Sequence, residues 1–372
     1  MSTIHMSVSP GLWALAWRRL RTDRIAMVSL GIVGLYLLTL LLSVGGLVAA
    51  DWDAEVGVNY APPTFLGAPA VEAGAANSVA PVVVLPPPEN PLDPLKDIIR
   101  ELRASMSASA PVVIDYYGVT DPLQQEMAEI RTQLGAATGV APVLERRPTL
   151  PFGADKWGHD IILKTIKGAE TSIVVGLVAA LLATTLGTIF GALSGYFGKH
   201  VDDFFNWFYS IFTSVPYLLL VLAVAAVLNQ KGVVTIVLIL GLTGWTGTYR
   251  LIRAEYLKHK SREYVMAADA IGASHWRKMF SHIFPNVSHV ALVQMSILVV
   301  GFIKSEVILS FLGFGVPVGV VSWGSMLNEA QNELILGKWW QLTAASVAMA
   351  VLVTAFSLFT DALRDALDPK LK

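Results

Sequence analysis

Long charge-free apolar runs recur along this sequence and fix what it can fold into. They occupy Ile25–Ala50, Thr171–Phe197, Phe204–Leu228, Gly232–Tyr249 and Gln341–Thr360. A sixth extends from about Val287 to about Gly315 and is interrupted by Lys304 and Glu306. Crossing about 30 Å of hydrocarbon takes about 20 apolar residues in a helix. Each run is therefore read as a membrane span, which predicts an all-α polytopic membrane protein with six transmembrane helices. The charged fraction agrees: it is 15%, against about 25% in soluble domains. The first run is too long for a signal-peptide core, and no soluble mature protein follows its Ala-Ala-Asp end, so it is read as a retained helix.

Orientation follows from the cations, which concentrate beside span ends on the cytoplasmic side. Arg18, Arg19, Arg21 and Arg24 precede the first span. Arg250, Arg253, Lys258, Lys260, Arg262, Arg277 and Lys278 lie between the fourth and fifth, and Arg364, Lys370 and Lys372 follow the last. The opposite short loops hold only Lys231 and Lys338. Both termini are expected in the cytoplasm. The resulting organisation is a cytoplasmic N-terminus (1–24), a first span (25–50), a long extracytoplasmic insert (51–168), a transmembrane core (169–360) with a cytoplasmic loop at 250–286, and a cytoplasmic tail (361–372).

The insert differs in kind, with 15 acidic against 9 basic residues and a proline-rich first part. Asp93-Pro94 and Asp121-Pro122 each place an N-cap before a proline at the first helical position. Leu95/Ile98/Ile99/Leu102 and Leu123/Met127/Ile130/Leu134 follow at helical spacing, and Val112–Tyr117 has the pattern of a short strand. The segment is expected to be a partly ordered cap, with a mostly disordered loop as the alternative.

The most informative stretch is Glu263–Asn286, EYVMAADAIGASHWRKMFSHIFPN. Tyr264, Ala267, Ala268 and Ile271 share one predicted helical face, and small residues let a backbone approach another surface closely. On these residues alone the stretch is a connector helix on the membrane surface or a helix seated in a partner's groove. Pro285 marks the entry to the next span.

Ala267-Ala268, then Gly272, then Pro285 resembles the "EAA" loop of ABC importer permeases, with Met266 where that signature has glutamate and Phe284 where it usually has leucine. Further blocks resemble the C-type permease of dipeptide, oligopeptide and nickel importers: Trp17-Arg18-Arg19-Leu20 with Asp23-Arg24-Ile25-Ala26, Phe152-Gly153-Ala154-Asp155 through Gly158-His159-Asp160, Leu309 to Gly315, Ser322-Trp323-Gly324, and Arg364 to Pro369. About Asp51–Pro148 shows no such likeness. The resemblance implies the type I ABC importer permease fold and a coupling helix in which Tyr264, Ala267, Ala268, Ile271, Gly272, Ala273 and Pro285 meet an ATPase. It also implies a homologous permease partner, two ATP-binding subunits, an external substrate-binding protein, and peptide, or a nickel chelate, as solute.

The chain has no Gly-x-x-x-x-Gly-Lys-Ser/Thr phosphate loop, so no cofactor is expected in it, and ATP with magnesium belongs to the partner subunits. No catalytic residue is expected. With no cysteine, thiolate metal sites and cysteine nucleophiles are excluded, and the net charge of −1 gives no sign of nucleic acid. Asp155, His159 and Asp160 invite a metal-site reading but fit a structural turn better. Glu306, Trp245 and Pro216 are candidate translocation-path residues, with packing as the alternative for Glu306 and a kink for Pro216. Lys304 and Glu306, two positions apart on a helix, project about 200° from each other. Glu170 is expected to be a solvated anchor. Two rivals of other classes remain, an ion-driven secondary transporter and a structural or sensory membrane protein; neither repeated halves nor paired broken helices, the marks of the first, occur.

Overall fold

The computed structural model describes residues 12–67, 98, 146–228, 230–317 and 319–367. The capped helices expected after Asp93 and Asp121, the strand at Val112–Tyr117 and most of the proline-rich stretch lie outside the described residues. Among the described residues the β pairing is limited to three isolated bridges, and the rest is helix and turn. Contacts divide the chain into one unit of residues 1–68 and 146–372 and a second of residues 69–145.

A short amphipathic helix α1 (Leu12–Thr22) leads into α2 (Arg24–Val44), the first span. Asp23 sits between them as an N-cap and accepts from the amides of Ile25 at 2.8 Å and Ala26 at 3.2 Å, satisfying donors that a helix start leaves free. Ala16, Leu20 and Ala26 pack with Leu363, Ala366 and Leu367, so the first and last helices meet on the same side of the protein.

The central helix α3 (Ile161–Phe197) is capped by Asp160, which accepts from Ile162 N at 2.7 Å. It begins ten residues before the predicted second span, because the cap and not hydropathy fixes its start. Gly187, Gly191 and Gly195 form a stripe along it. A Cβ at these positions would lie 2.6 Å from Thr248 Cβ, 2.8 Å from Tyr249 O and 2.7 Å from Arg253 O. Small residues at four-residue spacing permit close backbone contact between membrane helices, where van der Waals packing drives association.

The third predicted span is not one rod. α4 (Lys199–Thr213) and α5 (Tyr217–Leu228) meet at 83°, with Pro216 at the break. Proline lacks the amide that would bond back one turn and its ring clashes there. α5 alone rises about 18 Å, short of the hydrocarbon thickness. Among the described residues five helices are long and apolar enough to cross a membrane, and a sixth span appears when this bent pair counts as one.

The fourth span comprises α6 (Val233–Thr243) and α7 (Thr246–Lys260). It continues eleven residues beyond Tyr249, so Arg250, Arg253, Lys258 and Lys260 are helical and not loop. Next come α8 (Glu263–Ala270), one helical turn (His275–Arg277), six π-helical residues (Lys278–Ile283) and α9 (Phe284–Phe311). A return loop leads to α10 (Trp323–Ile335), and α11 (Trp340–Leu367) closes the chain. The main core draws residues from α3, α6, α9, α10 and α11, with Trp323, Leu240, Val299 and Ala345 fully enclosed.

At the opposite end from α1, buried Asp155 accepts from the amides of Trp157 (2.8 Å) and His159 (3.0 Å) and lies 2.9 Å from His159 Nδ1 and 2.6 Å from Lys164 Nζ. Burial alone would raise Asp155, but the His159 hydrogen bond and the Lys164 charge outweigh it and hold the carboxyl well below its usual range. Lys164 also reaches Glu329 of α10 at 2.6 Å and Gln341 of α11 at 3.4 Å. Asp155 and His159 thus shape a turn and Asp160 caps a helix. Among the described residues no group of three or more His, Asp or Glu is placed to hold a metal ion. Glu170, expected to be solvated, is half-buried and accepts from Ser43 of α2 and from Lys167, tying the first two spans together.

Candidate functional site

The turn between α7 and α9 is built on a base of packed aromatics and aliphatics. Val265 of α8 is buried against Tyr196, Ile252, Tyr256, Met279 and Ile283, and Ala268 is buried as well. Tyr196 comes from α3 and Ile252 and Tyr256 from α7, so the turn rests on the two helices joined by the glycine stripe. Tyr256 Oη donates to Met279 O at 3.2 Å, and Tyr196 Oη lies 2.9 Å from His275 Nδ1. The Lys278 ammonium pairs with Asp269, clamping the end of α8 to the helix that follows. That hydrogen bond holds the Asp269 carboxyl below its usual range.

α8 is shorter than the sequence suggests. It ends at Ala270, Ile271 is the C-cap, and Gly272 takes φ +75°. Gly272 N bonds to Asp269 O at 2.9 Å and Ala273 N to Ala268 O at 3.0 Å, a left-handed helix ending that favours glycine. Nothing lies within 4 Å of where a Gly272 Cβ would point. Within this chain the glycine therefore serves the backbone conformation and not a close contact.

The predicted face of Tyr264, Ala267, Ala268 and Ile271 divides accordingly. Ala268 turns inward at 4% exposure, whereas Ile271 stands out at 85%. Ala267 and Met266 are exposed, Tyr264 is partly so, and Ala273 is half-buried. Beyond the glycine, exposed Trp276 stacks on Phe280 with ring centroids 5.6 Å apart. The outward surface thus carries Met266, Ala267, Ile271 and Trp276. Trp276 was not singled out from the sequence, although a large aromatic among Arg and Lys residues was a signal for it.

Pro285, in the first turn of α9, is exposed. The π-helical stretch precedes it, and Phe284 N bonds five residues back to Met279 O. This wider turn accommodates the ring that cannot donate a hydrogen bond.

The turn is tied to the spans by ions and rings. Arg253 of α7 bonds to Asp202 of α4 at 2.6 and 2.7 Å, and Asp202 also accepts from Ser194 of α3. Just above, Trp245 is 1% exposed and packs against Phe190, Phe208, Phe212 and Tyr249. Trp245 was expected on the path, and in this conformation it is core. Glu306 likewise is fully buried, accepting from Ser172 Oγ at 2.6 Å and Ser310 Oγ at 2.7 Å. Trp323 N donates to the same Ser172 hydroxyl at 3.3 Å, so Glu306 joins α3, α9 and the start of α10. Pro216 is exposed at the α4–α5 break.

A family model described as "binding-protein-dependent transport system inner membrane component" matches residues 187–372, half the chain and the whole of this turn. The chain belongs to that family. A second model, the N-terminal transmembrane domain of oligopeptide transport permease C, matches residues 11–63 of this permease, which hold α1 and α2. The permease is 37% identical over 221 residues to a dipeptide transport system permease protein of Bacillus subtilis, covering 59% of this chain and 69% of that relative. It is 38% identical over 221 residues to an oligopeptide transport system permease protein of the same organism, covering 59% and 72%. A peptidoglycan transport system permease protein of Agrobacterium fabrum is 34% identical over 219 residues, covering 59% and 57%.

Proposed function

We propose that this permease forms half of the translocation path of an ATP-driven importer for dipeptides or oligopeptides, and that it performs no catalysis itself. Its partners are a homologous permease, two subunits that bind ATP and magnesium, and an external substrate-binding protein. Both termini face the cytoplasm of a bacterial inner membrane and the insert lies outside.

The observation that carries this reading is the exposed apolar surface of Met266, Ala267, Ile271 and Trp276 on a turn clamped to three helices. An apolar surface of this kind at a polar membrane face marks an interaction site. The turn has little freedom of its own, because Val265 and Ala268 are buried and Asp269 is paired with Lys278. Movement imposed on it by an ATPase would be passed through Tyr196 and Tyr256 to α3 and α7, a rigid-body switch between inward and outward states. The relatives' names supply the solute class, peptides, at this chain's own level of similarity.

The reading is tested by co-expressing the permease with its ATPase and permease partners and purifying through a tag on this chain. The ATPase should co-purify with wild type and be lost with Ile271→Asp, while the paired permease is retained. Full retention of the ATPase by Ile271→Asp and by the further variant Trp276→Ala would place the contact elsewhere.

A further inference from the structure

A groove of about 570 Å³ runs between α2 and α11, the first and last helices. Its floor is made by small side chains, since Ser29 and Ala355 are each 3% exposed, while Ile25, Val28, Val351 and Leu358 stand out along its rims. The two helices run in opposite directions, and beyond the far end of the groove Tyr36 Oη donates to Ala348 O at 2.9 Å. On α2 the lining extends from Arg24 to Ile32, about 12 Å along a helix axis. That is most of the roughly 15 Å that one leaflet contributes to the hydrocarbon.

One end of this groove is charged. Among the described residues Arg24 is the one charged group in its lining. Arg18 and Arg21 of α1 precede it, and all three are exposed. The Arg21 guanidinium lies 5.2 Å from the ring centroid of exposed Trp17. Ala16 and Leu20, also on α1, are buried with Leu363 and Ala366 of α11, so α1 is held beside the charged end. The acidic groups nearby are Asp23, which caps α2, and exposed Asp361 and Asp365 of α11. Among the described residues none of them forms an ion pair with Arg18, Arg21 or Arg24. Tryptophan and arginine together are what membrane proteins place at headgroup level.

We propose that this groove is a binding site for an anionic phospholipid, its phosphate held by Arg24 with Arg18 and Arg21 and one acyl chain lying between α2 and α11. A phospholipid carries the same two parts in the same order, charge at the interface and hydrocarbon below it for the depth of one leaflet. Basic groups at a membrane surface attract anionic headgroups, and a planar guanidinium matches the geometry of a phosphate. The site is independent of the solute carried. A helix of the paired permease is the competing occupant; it would fill the apolar part equally well but gives no role to the charge at the mouth.

The complete complex is reconstituted in phosphatidylcholine vesicles holding a trace of photoreactive lipid, with a diazirine in the acyl chain of either phosphatidylglycerol or phosphatidylcholine. After illumination, adducts on the α2 and α11 groove residues are read by peptide mass spectrometry. Phosphatidylglycerol should label the groove more than phosphatidylcholine does. Arg24→Gln should lower that ratio about fivefold, the scale of one basic residue at a membrane surface. Thr354→Trp, which fills the groove from an exposed position, should abolish groove labelling by both lipids while the paired permease stays bound. Equal labelling by the two lipids in wild type, or an unchanged ratio in Arg24→Gln, would overturn the proposal. So would competition by excess inorganic phosphate, which would make the site one for the free anion. A wild-type groove that takes no label, or loss of the paired permease with Thr354→Trp, would show that the other permease covers it instead.

Discussion

Arg253 and Asp202 face each other through two parallel hydrogen bonds, Nε to Oδ1 at 2.6 Å and Nη2 to Oδ2 at 2.7 Å. The pair joins α7 to α4 beside the turn proposed to meet the ATPase. Two-point geometry of this kind is specific to arginine. Arg253→Lys keeps the charge but loses the fork, and should reduce peptide-stimulated ATPase activity several-fold with little change in basal rate. Equal stimulation in wild type and Arg253→Lys would show that the link does not transmit movement.

The α3 glycine stripe predicts a contrast between two positions. A methyl at Gly191 would meet Tyr249 O at 2.8 Å and Arg253 N at 3.0 Å, whereas Gly31 of α2 has nothing within 4 Å. Gly191→Ala should destabilise by about 1–3 kcal/mol, the usual range for overpacking, and Gly31→Ala should be neutral or slightly stabilising. Thermal unfolding of the purified complex measures both. Matching midpoints for the two variants would contradict the close packing of α3 on α7.

Gly272 should respond to backbone conformation more than to size. At φ +75° a β-branched residue is strained by about 1–2 kcal/mol, and asparagine tolerates this region better. Gly272→Val should uncouple ATPase stimulation more than Gly272→Asn. The opposite order would point to steric contact with a partner and not to the helix ending.

Glu333 of α10 is 2% exposed and neither carboxylate oxygen is hydrogen-bonded; burial pushes it up to about 7. The folded protein therefore holds this proton more tightly than the unfolded chain, whose value stays near 4.5. Stability from this group is full below about pH 4.5 and declines as pH rises to about 7. Asp155, held low, acts in the other direction and loses its contribution only in stronger acid. Glu333→Gln should flatten the decline of the unfolding midpoint between about pH 5 and 7. An unchanged slope would remove Glu333 as its source.

Sidedness is predicted from cation placement and is tested by cysteine labelling, which the cysteine-free sequence makes clean. An impermeant reagent applied to intact cells should label Asp53→Cys and leave Ser261→Cys untouched until the membrane is opened. The reverse pattern would invert the topology.

Hydropathy made the spans legible, because apolar length is a local property. The break at Pro216 was visible as a proline but not as an 83° bend, which depends on how α4 lies against its neighbours. The Gly187, Gly191 and Gly195 spacing was present in the sequence and went unread. Glu306 could not be placed: its partner Ser172 is 134 residues away, and no local pattern says whether an intramembrane acid faces a path or a packed serine. The exposed face of the turn was half legible. Helical spacing put Ala268 beside Ile271, but the left-handed ending at Gly272 stops the helix and sends the two in opposite directions.

The most direct test of the account is the energy source of transport. Vesicles holding this permease, its permease partner and both ATPases, supplied with the binding protein, should accumulate labelled peptide only when ATP is present. Ionophores that collapse proton and sodium gradients should leave that uptake unchanged. Uptake that persists without ATP or the ATPase subunits, and disappears when an ion gradient is collapsed, would contradict it.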